Sequence, residues 1–126
     1  MEKMVKIDGK EVGFRATALT PRIYRHKIGR DMIQDLNKLQ GAYNKAMRLP
    51  DEVTDDEIKK AQLSALDLEI FENAAYVMAK QYDANLPNSP EEWLDGFETF
   101  SIYEILPAIL ELWQLNSATT AKPKKK

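Results

Sequence analysis

Hydrophobic and polar positions fall into two regimes that meet near residue 20. In residues 3–17, Met4 or Val5, Ile7, Val12 and Phe14 partly alternate with polar side chains on either side of Asp8-Gly9. A period of two belongs to strands, and Asp-Gly supplies the positive-φ positions of a tight hairpin turn. The pattern predicts antiparallel strands at about 3–7 and 11–17. A lone hairpin is marginal in water, so it must pack on the helices or pair with another edge. From residue 20 the spacing becomes helical, with Ile23, Tyr24, Ile28, Met32, Ile33, Leu36 and Leu39 recurring at one, three and four residues. Thr20-Pro21 reads as an N-cap followed by the residue best tolerated at the first helical position. A short helix is expected at 21–28, a bend at Gly29, and a second helix from Arg30 to Met47, ended by Leu49-Pro50.

Three later helix starts carry the capping-box pattern, in which the first and fourth side chains satisfy each other's orphan backbone N–H groups. They are Thr54-Asp55-Asp56-Glu57, Ser89-Pro90-Glu91-Glu92 and Ser101-Ile102-Tyr103-Glu104. The first predicts a long core helix from 55 to about 82, with Ile58, Leu63, Leu66, Ile70, Phe71, Ala74, Val77, Met78 and Tyr82 as its apolar stripe. The segment from Pro90 to Thr99 places Trp93, Leu94 and Phe97 on one side. Ile102 to Asn116 is apolar through most of its circumference, and Pro107 costs it a hydrogen bond or a kink. Residues 117–126 are too polar to fold and are expected to form a flexible basic tail. The resulting architecture is mainly α (α+β): a single domain over 1–116, with a β-hairpin in 1–19 and four to five helices in 20–116.

Composition removes most catalytic chemistry. The 126 residues include no cysteine, which excludes disulfides, thiolate metal sites and Cys nucleophiles, and one histidine, His26, which excludes multi-His metal centres. The glycines are never grouped into a phosphate loop. Asp55, Asp56, Glu57, Glu91 and Glu92 sit where helix N-termini favour negative charge. Asp67, Glu69 and Glu72 lack the Glu-x-x-His partner of a di-metal carboxylate site. No enzyme activity, cofactor or metal is expected. No apolar run approaches the roughly 18 residues of a membrane span, and the N-terminus lacks the apolar segment of a signal peptide, so a cytoplasmic location is expected.

Charge changes the picture by its distribution. Residues 1–48 carry 11 Lys/Arg against 5 Asp/Glu, residues 49–121 carry 3 against 15, and residues 122–126 add four lysines. Such segregation can neutralise itself within the fold, or pair copies head to tail. Within the basic third, Arg22, Arg25, Lys27 and Arg30 form a patch flanking His26, on a helix–bend–helix that imitates a helix-turn-helix. It suits either a DNA-binding regulatory protein or a face complementing the chain's own acidic helices. The strongly acidic remainder repels phosphate and favours the second use. The other excess is aromatic and aliphatic density at 93–115. Trp93, Phe97, Phe100, Ile102, Tyr103, Ile109, Leu112 and Trp113 serve as core, as a partner-binding surface, or as both.

The order of several segments adds a further expectation. The Asp8-Gly9 hairpin comes first, followed by Phe14-Arg15-Ala16-Thr17, Thr20-Pro21-Arg22-Ile23-Tyr24-Arg25 and Gly29-Arg30-Asp31. Later come Phe71-Glu72-Asn73-Ala74-Ala75-Tyr76-Val77-Met78-Ala79, Pro90-Glu91-Glu92-Trp93-Leu94 and Phe100-Ser101-Ile102-Tyr103-Glu104-Ile105-Leu106-Pro107. In this joint order, across about residues 4–115, the chain resembles the small tail assembly chaperones of long-tailed bacteriophages and prophages of Gram-positive bacteria. The resemblance implies a non-enzymatic role in the bacterial host cytoplasm. Such a protein binds the long helical tape measure protein, keeps it soluble until tail-tube subunits polymerise around it, and also meets the major tail protein. A DNA-binding regulator using residues 22–30, and a structural or completion protein of the tail itself, are the competing expectations.

Overall fold

A computed structural model describes residues 1–47 and 64–120. Their order is β1 (Glu2–Ile7), β2 (Lys10–Arg15), α1 (Thr20–Ile28), α2 (Met32–Met47), α3 (Ala65–Tyr82), α4 (Pro90–Leu94) and α5 (Ile102–Thr120). The expected class, a hairpin followed by helices, is the observed one. The strands pair antiparallel, with Val5 opposite Val12 and Met4 opposite Gly13. Asp8 and Gly9 both adopt positive φ, at 54° and 77°, as a two-residue hairpin turn requires. Ile7 and Phe14 are buried on the inner face of the sheet, and β2 lies on α3 while β1 lies against α5.

α3 is the centre of the molecule. Ala74, Ala75, Tyr76, Val77, Met78 and Ala79 are all buried, so this stretch has no solvent face. A helix enclosed on every side needs partners all round. It contacts β2, α1, α2, α4 and α5. Ser64 begins it with a complete capping box: its hydroxyl accepts from Asp67 N–H at 3.0 Å, and the Asp67 carboxylate accepts from Ser64 N–H at 2.9 Å. One continuous helix from 55 is therefore corrected to one starting at Ala65, because the extended backbone of Ser64 ends any helix arriving from upstream. The expected start at Thr54–Glu57 lies outside the described residues.

Other boundaries shift for local reasons. Thr20 is the first residue of α1, not its cap, and its hydroxyl is engaged elsewhere. It accepts from Thr17 N–H at 2.8 Å and donates to Gln81 Oε1 at 2.6 Å, while Gln81 Nε2 donates to Thr17 Oγ1, so the entrance of α1 is tied to the end of α3. Gly29 closes α1 in the left-handed conformation, φ 83°, with its N–H on the Arg25 carbonyl. The next helix starts at Met32, two residues later than expected, after Asp31 has accepted from Ile33 N–H at 2.9 Å. α4 has one turn only, capped by Ser89, whose hydroxyl accepts from Glu92 N–H. α5 runs through Pro107, which is exposed, and on to Thr120. Ser117–Thr120 thus belong to the helix and not to the tail, since extending a nucleated helix is cheaper than starting one. Residues 121–126 lie outside the described set.

One polar network is enclosed in the helical half. Asp35, 5% exposed, accepts from the Tyr24 hydroxyl at 2.9 Å and from Arg30 through a two-pronged contact at 2.8 and 2.9 Å. Burial opposes ionisation of Asp35, but the donors from Arg30 and Tyr24 outweigh it and hold the carboxyl below its ordinary value. Burial and the carboxylate together push the Tyr24 phenol upward. A depressed carboxyl stabilises the fold fully above the unfolded pKa and loses that contribution as pH falls through the folded value, which here means below about 4. Replacing Asp35 by Ala leaves a buried hydroxyl without its acceptor, an effect of about 1–3 kcal/mol. Chemical denaturation should show Asp35→Ala destabilised by that amount at neutral pH, with the gap to wild type narrowing at about pH 3.

Candidate functional site

One concavity lies between the hairpin and the chain that follows α3. It is a cavity of about 370 Å³ walled by Met4, Val12, Gly13, Tyr82, Leu86, Pro87, Trp93, Gly96 and Phe97, with Lys10, Glu11, Asp83 and Glu92 among its lining charges. Its apolar character is exposed in part: Met4 is 49% and Tyr82 42% accessible. Gly13 makes the arrangement possible. A Cβ at residue 13 would collide with the Tyr82 ring, so the bare backbone of β2 lets that ring lie flat across the sheet.

The opposite wall is positioned by α3. The Tyr76 hydroxyl donates to the Pro87 carbonyl at 2.6 Å, and Lys80 Nζ donates to the Ala84 and Leu86 carbonyls and to Asn88 Oδ1. These donors fold residues 83–88 back over the helix end. Two contacts close the groove at the hairpin tip: Lys10 Nζ donates to the Gly96 carbonyl at 2.7 Å while lying over the Phe97 ring, and Asp8 accepts from Glu98 N–H at 2.9 Å. Trp93 forms the floor. It packs edge-on against Phe97 and Phe100, with Tyr76 5.9 Å away on its other side.

The residues expected to form a partner surface are divided by the fold. Trp93 on α4 and Ile102, Ile109, Leu112 and Trp113 on α5 are buried and act as core; α4 packs on α3, and α5 packs on α3 and β1. Of the alternatives of core, partner surface or both, their burial corresponds to core. Phe97, Phe100 and Tyr103 are half-buried and pack against that core. Of the set, Trp93 and Phe97 reach the groove. The Tyr103 hydroxyl is buried without a hydrogen-bond partner among the described residues, beside the Tyr43 ring.

The basic patch is divided too. Arg22, Arg25 and Lys27 are exposed on α1 and make no ion pair among the described residues, whereas Arg30 is held by Asp35. Among the described residues, the chain's own acids therefore pair with one of the four cations of this patch. Lys27 instead lies 5.7 Å from the Tyr76 ring centre. Leu19, 52% exposed, lines a shallow depression with Arg22, Ile23, His26 and Lys27. Burial first and the nearby Glu69 second raise the Glu72 pKa, yet no group of three or more Asp, Glu or His among the described residues is placed to hold a metal. No described helix is long and apolar enough to cross a membrane.

Comparison with known proteins finds no matching family model, no matching curated protein and no matching solved structure.

Met4, Gly13, Tyr82, Leu86 and Pro87 are absent from the partner surface expected from the sequence, which assigns Met4 to the hairpin and Tyr82 to the apolar stripe of the long helix. The available signal was Gly13, a glycine inside a strand pattern, which marks close approach of another group. Gly13→Val should displace the Tyr82 ring and destabilise the fold by about 1–3 kcal/mol. Combining it with Tyr82→Ala should recover most of that cost, and a double-mutant cycle by urea denaturation measures the coupling.

Proposed function

We propose that this chain is a non-enzymatic chaperone of phage tail assembly, which covers apolar stretches of the tape measure protein in the host cytoplasm until tube subunits displace it. The observation that carries this reading is the joint order of segments along residues 4–115, from the Asp8-Gly9 hairpin to Phe100–Pro107. The exposed groove is compatible with it. A shallow apolar site on a small charged domain suits weak capture, and many copies along one long client add avidity without tight individual contacts. Weak contacts also leave quickly, as an assembly factor displaced by tube subunits must.

A DNA-binding regulator is the second reading, favoured by Arg22, Arg25 and Lys27, which are exposed on α1 and make no ion pair among the described residues. Engagement of Arg30 by Asp35 weakens it, as does the excess of acids over residues 49–121. A virion structural protein is the third.

Co-expression separates them. The chaperone reading expects the soluble yield of the tape measure protein encoded beside this chain to rise several-fold, and the chain to be absent from purified virions by mass spectrometry. An unchanged yield counts against it, and recovery in virions assigns a structural role. The regulator reading instead expects a duplex-DNA shift at low salt that Arg22→Ala and Arg25→Ala abolish.

A further inference from the structure

The molecule carries two surfaces whose chemistries are complementary. The groove is apolar along Met4, Val12, Tyr82, Leu86 and Phe97, and its carboxylates, Glu11, Asp83 and Glu92, make no ion pair among the described residues. Its one lining cation, Lys10, is already engaged by the Gly96 carbonyl and the Phe97 ring. On α1 the signs are reversed. Leu19, 52% exposed, projects beside a shallow depression that it lines with the half-buried Ile23 and with Arg22, His26 and Lys27, and the exposed Arg25 lies on the same helix.

We propose that the α1 face of one copy docks in the acid-rimmed groove of a second copy, joining chains head to tail. Size supports this occupant: a cavity of about 150 Å³ accepts a benzene ring, so 370 Å³ accepts the exposed Leu19 side chain. Charge supports it as well, because Arg22, Arg25 and Lys27, which make no ion pair among the described residues, would meet the Glu11, Asp83 and Glu92 carboxylates of the groove. The two surfaces differ, so the contact is heterologous, and each copy keeps one free groove or one free helix face unless a ring closes. This inference does not rest on the chaperone reading, since the complementarity exists whatever client the protein serves.

Sedimentation velocity of the full chain tests it. Average mass should rise with concentration at about 50 mM salt and return to that of a monomer at about 500 mM, where the Debye length falls to a few ångströms. Arg22→Glu/Arg25→Glu in one variant, and Glu11→Lys/Glu92→Lys in another, should each weaken association at least tenfold while circular dichroism stays unchanged. Mixing the two variants should restore assembly, since each then offers the other a complementary pair of surfaces; that recovery also shows that both are folded. A wild-type chain that is monomeric under all these conditions overturns the proposal, and so does an oligomer whose mass ignores both variants. A monomer that still raises the solubility of the tape measure protein overturns self-association alone and leaves the chaperone reading standing. A monomer whose tryptophan fluorescence responds to an added Leu- and Arg-containing helical peptide assigns the groove to a foreign segment and likewise overturns it.

Discussion

From Ala74 to Ala79 helix α3 has no side that can face water, and the rest of the fold is arranged to satisfy that constraint. Six consecutive buried residues cover the full circumference of a helix. Each large one, Tyr76, Val77 or Met78, favours the folded state by roughly 1.5–3 kcal/mol through burial. The alanines that flank them, Ala74, Ala75 and Ala79, matter in a different way: with only a methyl group to accommodate, neighbouring elements approach closely. β2 takes one side, α1 and α2 others, and α4 and α5 the remainder. A two-stranded sheet that would be marginal alone is stable here because Ile7 and Phe14 complete this enclosure.

The polar groups then register the surrounding elements on the helix. Gln81, near the end of α3, binds Thr17 and Thr20 and so fixes where α1 begins. Tyr76 sends only its hydroxyl outward, to the Pro87 carbonyl, which combines a buried ring with a bound loop. Lys80 gathers two carbonyls and the Asn88 side chain, replacing in the loop the hydrogen bonds that the helix no longer supplies. Hydrophobic enclosure is non-directional and these bonds are directional, so the first explains why the elements gather and the second why they gather in this register.

The local features legible in the sequence were those with local causes. Asp8-Gly9, Gly29 and the Ser89 cap each act within a few residues, and each was readable from residue type alone. The Ser64–Asp67 capping box was equally readable, but the apolar stripe running through it suggested a continuous helix. Period alone could not rank Ala75 and Ala79 as core, because a small residue carries little weight in a hydrophobic pattern, and Tyr82 was placed in the core although it is 42% exposed. The groove was less legible still. Its walls join residues 4–13 to 82–97, and no spacing rule connects a strand to a loop so distant in sequence. The dense aromatic segment reads as core, as partner surface or as both, and spacing alone does not rank these; Trp113, Ile109 and Leu112 are buried.

The same asymmetry bears on how the groove can work. α3 is held by burial on every side, whereas the hairpin tip meets residues 96–98 through two exposed hydrogen bonds, Lys10 to Gly96 and Glu98 to Asp8. Bonds of that kind contribute about 0.5–1.5 kcal/mol each. They can open without loss of the core, since local openings draw on the least protected contacts. Trp93 is anchored beneath by Tyr76 and Phe100, so the floor stays fixed while the rims can shift. A recess with a rigid aromatic floor and yielding charged rims discriminates by chemistry more than by shape. Its rims carry Glu11, Asp83 and Glu92 beside apolar walls, so apolar side chains flanked by positive charge would match it chemically, and yielding rims make such a match less dependent on exact spacing.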